Sequence, residues 1–243
     1  MWSHIRTDTH RFPASPPTNQ LRQSTQPMTA QAPPTVLVIA SGNAGKVREF
    51  AALLADLGLE VRPQPEGLEV EESGATFAEN ARLKAVAVAR ATSCWALADD
   101  SGLSVDALGG APGVHSARYA DNDAARIARL LNELAAAGAR NNGADARSAR
   151  FSAALALADP GGAVVLEVEG HCPGTILEAP RGEGGFGYDP VFFVPEAGLS
   201  FAEMPHSQKA ALGHRGRAFA ALRPQLEALL QQGAIERAAQ ERQ

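Results

Sequence analysis

Two cysteines, two tryptophans and two tyrosines in 243 residues leave little material for several classes of protein. Cys94 and Cys172 are too few for a disulfide framework or a cysteine-rich metal site. They read instead as small hydrophobes of a protein kept in the reducing cytoplasm. No apolar run approaches the roughly 20 residues that a membrane helix requires. Basic residues are also short, 22 Lys and Arg against 27 Asp and Glu, for a net charge of −5. That balance argues against a broad nucleic-acid surface. A small anionic ligand would have to be met by local Lys or Arg or by a bound cation. What remains, 45% apolar and 20% charged residues, is the make-up of a soluble globular enzyme with enough chain for a sizeable core.

Residues 1–34 have almost no aliphatic side chains and are rich in Pro, Gln, Ser and Thr. Such a segment cannot bury a core and is expected to be a disordered extension. It also lacks the apolar centre of a secretory signal. Met28 stands shortly before the first apolar run and is a candidate start of translation. The intact mass of the natively expressed protein decides that point.

From residue 35 the pattern changes. Thr35 to Ala40 is a β-branched apolar run, the signature of a strand covered on both faces. A polar turn follows, then a helix with Val47, Phe50, Leu53, Leu54 and Leu57 on one face, closed by Gly58. Thr76 and Glu79 form a capping box for a second helix through Asn80, Leu83, Lys84 and Val88. It leads into a strand expected to end at Asp99. Asp121 or Asp123 is expected to cap a third helix that stops near Gly138. Residues 150–158 and 163–169 flank Asp159-Pro-Gly-Gly162, a hairpin signal. Residues 191–194 make another buried strand, and 207–232 are helical with an interruption at 213–216. Residues 35–240 therefore read as one α/β domain with a mixed sheet, in two lobes around a cleft.

Asp99 and Asp100, followed by Ser101 and Gly102, close an apolar run with two adjacent carboxylates. Ligands of open α/β sheets gather where strands end, and neighbouring acids there repel unless a cation or proton sits between them. An Asx-type turn closing the strand accounts for the same residues equally well. Ser41, Gly42, Asn43, Ala44, Gly45 and Lys46 form a glycine-rich turn into a helix, a ready cradle for phosphate oxygens, with Lys46 as a mobile charge at its mouth. Plain strand–helix punctuation is the competing explanation. It is not a Walker A loop, because Val47 stands where Ser or Thr would supply a Mg²⁺-binding hydroxyl. Metal ligands must then come from elsewhere, and Glu71 and Glu72 are candidates to join Asp100 in an oxygen-rich site. Loop acids are as a rule simply solvated. Phe186, Gly187, Tyr188 and Asp189 lie in a glycine-rich loop suited to stacking a planar base, with backbone groups free to read its edge. Lys209, His214, Arg215 and Arg217 concentrate positive charge near a helix entry. They make either a surface face or a phosphate or purine binding set.

These strings together resemble the Ham1-like, or inosine triphosphatase-like, pyrophosphatases of non-standard purine nucleoside triphosphates. The resemblance rests on Ser-Gly-Asn-Ala-Gly-Lys at 41–46, Glu-Ser-Gly-Ala-Thr-Phe-Ala-Glu-Asn-Ala at 72–81 and Ala-Asp-Asp-Ser-Gly-Leu at 98–103. It continues through 108–119, 184–190 and 207–216, in order, across nearly all of 35–230. It implies an elongated mixed sheet flanked by helices, two lobes around a nucleotide cleft, and a homodimer. It further implies Mg²⁺-dependent hydrolysis of ITP, dITP or XTP to the monophosphate and pyrophosphate. In that scheme residues 41–46 and Lys209 grip the triphosphate, with Lys84 a further candidate. Glu72 and Asp100 hold Mg²⁺, with Glu71 or Asp99 nearby; Asp100 accepts the proton and Ser101 contacts substrate. Phe186 stacks on the base, while Gly187, Tyr188, Asp189, His214 and Arg215 line its edge. A fixed donor such as Arg215 facing the C6 carbonyl would be left unpaired against adenine, a device worth roughly 10⁴-fold in rejection. Alternatives are a Maf-like pyrophosphatase acting on pyrimidine nucleotides, a catalytically silent nucleotide-binding regulator, and a purely structural module.

Overall fold

The computed structural model describes residues 35–139, 144–233 and 235. The expectations for residues 1–34, disorder and the start at Met28, lie outside the described residues. No described helix is long and apolar enough to cross a membrane.

Seven strands among the described residues form one mixed sheet in the order β2-β1-β3-β4-β5-β6-β7. The β-branched run makes β1 (Val36–Ile39), which lies parallel between β2 (Glu60–Pro63) and β3 (Trp95–Val105). The expected hairpin is present: β4 (Ser148–Ala158) and β5 (Val164–Ile176) run antiparallel, and Asp159 Oδ1 accepts from the Ala163 N–H to close the turn. β6 (Phe192–Val194) and β7 (Leu199–Ser200) complete the antiparallel half. Pairing across the sheet carries β4 and β5 past the expected 150–158 and 163–169, to 11 and 13 residues, and gives β3 11.

The helix starts lie near the sequence cues, but the first helix ends at Leu53, and Leu57 and the expected closing Gly58 lie in the turn beyond it. Asn43 caps α1 (Ala44–Leu53), and Thr76 caps α2 (Phe77–Thr92) with its hydroxyl on the Glu79 N–H. Asn122, not Asp121 or Asp123, caps α3 (Asp123–Ala136), because it is the Asn122 side chain that meets the Ala125 N–H. The basic helical region splits into α4 (His206–Leu212) and α5 (His214–Gln231) at Gly213.

Strand pleat sorts the core into two faces. Leu37, Ile39, Trp95, Leu97, Ala153 and Leu155 pack under α1 and α5, against Phe50, Leu54, Phe219 and Leu222. Val38, Ala96, Ala98, Ala154 and Ala156 pack under α2, against Ala81, Ala85, Val88 and Ala89. A face built of alanines lets α2 lie close to the sheet.

One end of that sheet creates the site. β1 stops pairing with β3 at Ile39, opposite Leu97, while β3 continues alongside β4 to Val105. From Asp99 to Gly102 the β1-facing edge of β3 is therefore bare of strand, and its carbonyls need other partners; beyond it Ser116 and Ala111 meet Leu103 and Val105. Asp99 and Asp100 sit inside this strand, not in a turn at its end. The expectation of a strand closing at Asp99 is corrected by ten residue pairings with β4 that run through both acids.

Candidate active site

Successive side chains of a strand point to opposite faces, so the two aspartates part company. Asp99 follows Leu97 toward α1 and α5; Asp100 follows Ala98 toward α2. No single cation sits between them, contrary to the expectation for adjacent acids. Each has its own.

Asp99 is 1% exposed. Its Oδ2 accepts from Lys46 Nζ at 2.7 Å, Arg215 Nε at 3.1 Å and the Ser101 hydroxyl at 3.1 Å. Arg215 also donates to Ser101 Oγ at 2.8 Å and to Glu49 at 3.2 Å. Burial alone would raise the Asp99 carboxyl, but Lys46 and Arg215 outweigh it and hold it well below the usual carboxylate range. Lys46 is thus not a free charge at a loop mouth; its ammonium is drawn in beneath the turn, one helical turn from Glu49.

On the opposite face Lys84 Nζ lies 2.7 Å from Asp100 Oδ1, 3.0 Å from Glu72 Oε1 and 2.9 Å from the Asp99 carbonyl. That carbonyl belongs to the bare edge of β3. Glu72 keeps a second partner, Arg118, on Oε2 at 3.0 Å. Burial lifts the Asp100 carboxyl above the ordinary range, against the pull of Lys84. Glu72 is less enclosed: burial opposes its charge, but Lys84 and Arg118 prevail and lower its pKa. Glu71 is exposed and has no ion pair among the described residues.

A cleft of about 370 Å³ opens on the Asp99 face. Asn43, Gly45 and Lys46 form one wall, Ser101 and Gly102 the floor, and Phe186 to Asp189, with His214 and Arg215, the other side. Asp123 and Arg126 of α3 close its far end. Ser41, Gly42 and Ala44 instead line a neighbouring hollow with residues 63–67. Two of the amides expected to cradle phosphate, those of Gly45 and Lys46, are taken by Asn43 Oδ1 at 2.8 and 3.2 Å.

The aromatic loop is held more tightly than its composition suggests. Asp189, 3% exposed, accepts from the Phe186 N–H at 2.8 Å and pairs with Lys209. Asp123 Oδ2 accepts from the Gly187 N–H at 2.7 Å, and the Tyr188 hydroxyl donates to the Ser116 carbonyl at 3.0 Å. Gly185 has φ +76°, and a Cβ there would strike the Asp189 carboxylate. The expectation that the loop's backbone groups are free to read a base edge is therefore corrected at Phe186 and Gly187. These internal bonds leave the Phe186 ring 37% exposed. Lys209 Nζ lies 5.2 Å and the Arg215 guanidinium 5.4 Å from its centroid, an electron-rich face between two cations. Lys209 serves the loop in this arrangement and lies outside the main cleft. His214, 4% exposed, stacks on Phe151 at 4.8 Å. Burial, together with Arg215, pushes its imidazole well below the usual value, so it is neutral near pH 7. Its Nδ1 is buried without a partner.

Four contributors escaped sequence reasoning: Glu49, Ser116, Arg118 and Arg126. Glu49 had a signal, the one-turn spacing from Lys46, and Arg126 one in its i,i+3 pairing with Asp123; Ser116 and Arg118 are placed by contacts remote in sequence.

Residues 37–225 match the profile of the Ham1 family. The chain belongs to the Ham1 family. It is 63% identical over 196 residues to a protein of Synechococcus sp. (strain CC9311) named dITP/XTP pyrophosphatase, covering 81% of this chain and 92% of that one. A Nostoc sp. protein of the same name is 54% identical, with coverage of 82% and 98%. Among solved structures, a Ham1 protein from Coxiella burnetii superposes with a TM-score of 0.70 at 41% identity, over 82% of this chain and 99% of that one. The Staphylococcus aureus Ham1 protein gives 0.69 at 38% identity, over 80% and 99%. Residues 37–225 of this family member carry every side chain of the two charge clusters.

The donor set suits a hard divalent cation. Glu72 and Asp100 present carboxylate oxygens, each within 3.0 Å of one ammonium nitrogen, so the fold already gathers positive charge between them. Among the described residues no three His, Cys, Asp or Glu side chains form a cage for a metal. Mg²⁺ asks for less: one or two carboxylates, with water and substrate phosphates completing the shell.

Proposed function

We propose that this chain hydrolyses the α–β phosphoanhydride of deaminated purine nucleoside triphosphates, dITP and XTP foremost and ITP with them, releasing the monophosphate and pyrophosphate. The observation that carries the reading is the two-faced strand. A buried acid–base lattice on one side supports a cleft with an exposed aromatic ring, and a pair of carboxylates sharing one cation lies on the other. The names of the relatives support the substrate class.

Phe186 offers its ring to the base, and Lys46, with an N–H not spent on Asp99, faces the cleft where phosphates would lie. Glu72 and Asp100 would hold Mg²⁺, which when bound neutralises phosphate charge and activates water. Asp100, lifted by burial toward a pKa useful for proton transfer, takes the proton of the water that attacks the α-phosphorus. The bond from that phosphorus to the bridging oxygen breaks in line, and pyrophosphate leaves with the electron pair. His214, neutral and fixed against Phe151, lines the cleft beside Arg215 and contributes to reading the purine edge. Such an enzyme would act on the free nucleotides of the cytoplasm, and the family resemblance implies a homodimer, which light scattering of the purified chain checks.

A substrate panel tests the reading. Pyrophosphate release from dITP, XTP, ITP, dATP, dGTP and dTTP is followed with Mg²⁺ and with EDTA. We expect Mg²⁺-dependent turnover of dITP and XTP at least about a hundredfold above dATP. A preference for dTTP would favour a Maf-like enzyme, and tight dITP binding without release would indicate a silent binder; either result overturns the proposal.

A further inference from the structure

An ammonium group has three N–H donors and no more. In Lys84 all three are spent, on Asp100 Oδ1, Glu72 Oε1 and the Asp99 carbonyl, at 2.7, 3.0 and 2.9 Å. Lys84 is held in place, its side chain only 12% exposed, and in this arrangement it has nothing left to offer a phosphate. Its Nζ nonetheless lies between Glu72 Oε1 and Asp100 Oδ1, two of the carboxylate oxygens that would hold a divalent cation. The two roles exclude each other in space.

We propose that Lys84 is a built-in placeholder for the divalent cation, exchanged for it when the enzyme is loaded. This rests on the Mg²⁺ reading given above and adds to it a competition between the protein's own charge and the metal. The physical reason for a placeholder is the cost of leaving two partly buried carboxylates facing each other without compensation. Lys84 meets that cost in the free enzyme and keeps Glu72 and Asp100 converged. Arg118 on the far oxygen of Glu72 holds that side chain in register while its near oxygen changes partner. Once released, Lys84 recovers at least two N–H donors. The third donor stays on the Asp99 carbonyl at the bare edge of β3, which Lys46 reaches as well. The freed donors then stand at the strand edge that Lys46 approaches from the cleft side. Exchange of one charge for two at the carboxylates, with the displaced charge turned to the substrate, makes metal and nucleotide bind cooperatively. It also makes metal alone bind weakly.

The test is Mn²⁺ affinity of the full chain without nucleotide, read by electron paramagnetic resonance, in the wild type and in Lys84→Met. Removal of the competitor is expected to tighten Mn²⁺ binding by about tenfold or more, within the usual span of coupling between sites, even though nucleotide turnover falls. Equal or weaker Mn²⁺ binding by Lys84→Met overturns the placeholder. Wild-type Mn²⁺ binding in the presence of α,β-methylene-dITP separates the two claims. If the wild type binds Mn²⁺ with the analogue but the variant gains nothing without it, only the placeholder fails. If the wild type binds no Mn²⁺ even with the analogue, the metal reading fails with it. Should Lys84→Met not fold, lysine acylation of the wild type followed by mass spectrometry serves instead. Lys84 is expected to be protected in EDTA and to gain reactivity at saturating Mg²⁺, and reactivity unchanged by Mg²⁺ overturns the proposal.

Discussion

Asp99 and Asp100 are neighbours in the chain with the same side chain, yet they live in opposite electrostatic worlds. Asp99 faces α1 and α5, surrounded by Lys46, Arg215 and Ser101, and its carboxyl is held well below the usual range. Asp100 faces α2 with Lys84 as its nearby cation, and burial lifts its carboxyl above that range. The pleat of one strand separates them, and the comparison shows how a protein can hold one of two adjacent acids charged and leave the other easier to protonate. Asp99 cannot readily accept a proton, because two buried cations would lose their counter-charge. Asp100 can accept one more readily, since burial raises its pKa against the pull of Lys84.

The contrast is sharpened or broken by substitution. Asp99→Asn leaves Lys46 and Arg215 buried without full compensation and is expected to cost about 3–5 kcal/mol of stability, measured from urea unfolding. A loss below about 1 kcal/mol would mean that the lattice is not what holds this face together. Phe186→Ala removes the exposed ring without touching either aspartate. The KM for dITP should rise by roughly 10- to 100-fold, the worth of one base stacked on an aromatic, with kcat much less affected. An unchanged KM places the base elsewhere.

Acid titration separates the pair by sign. The Asp99 value in the fold lies below its unfolded value of about 4, so its stabilisation is complete above roughly pH 5 and drains away as pH falls. Asp100 has a raised value, so the fold takes up its proton more readily than the unfolded chain does. Its charge costs stability at neutral pH, and that cost vanishes as pH falls through the raised value. Urea midpoints followed from roughly pH 6 to pH 3 should give a shallower acid limb in Asp99→Asn and a steeper one in Asp100→Asn, both relative to wild type. Identical limbs in the two variants would erase the distinction. Arg118→Gln is the mildest change, since its partner bond is half exposed; stability should move by no more than about 0.5 kcal/mol.

Much of this fold is legible in the sequence because its cues are local. The β-branched run before residue 40, the Thr76–Glu79 capping box and the Asp159-Pro-Gly-Gly162 turn each specify their element within a few residues. The aspartate pair was misread because Ser101 and Gly102 look like turn residues. Gly102 has another purpose. A Cβ there would lie 2.5 Å from Ser116 Oγ, and that hydroxyl accepts from the Leu103 N–H at 2.9 Å. The glycine admits a close neighbour to a continuing strand, and that neighbour is 14 residues further on. The aromatic loop teaches the same lesson. Phe186 is legible as a ring suited to stacking, but the amides around it are claimed by Asp189 and by Asp123, the latter 64 residues away. Residue types announce the chemistry of the site, while the long-range pairings decide which groups remain free to perform it.

The division of labour along β3 is tested most directly by Asp100→Asn, with dITP turnover and urea unfolding measured on the same preparation. Loss of the proposed proton acceptor should lower kcat by roughly a thousandfold, while stability stays within about 1 kcal/mol of wild type, because burial already works against the Asp100 charge. Turnover within tenfold of wild type, or a stability loss equal to that of Asp99→Asn, would contradict it.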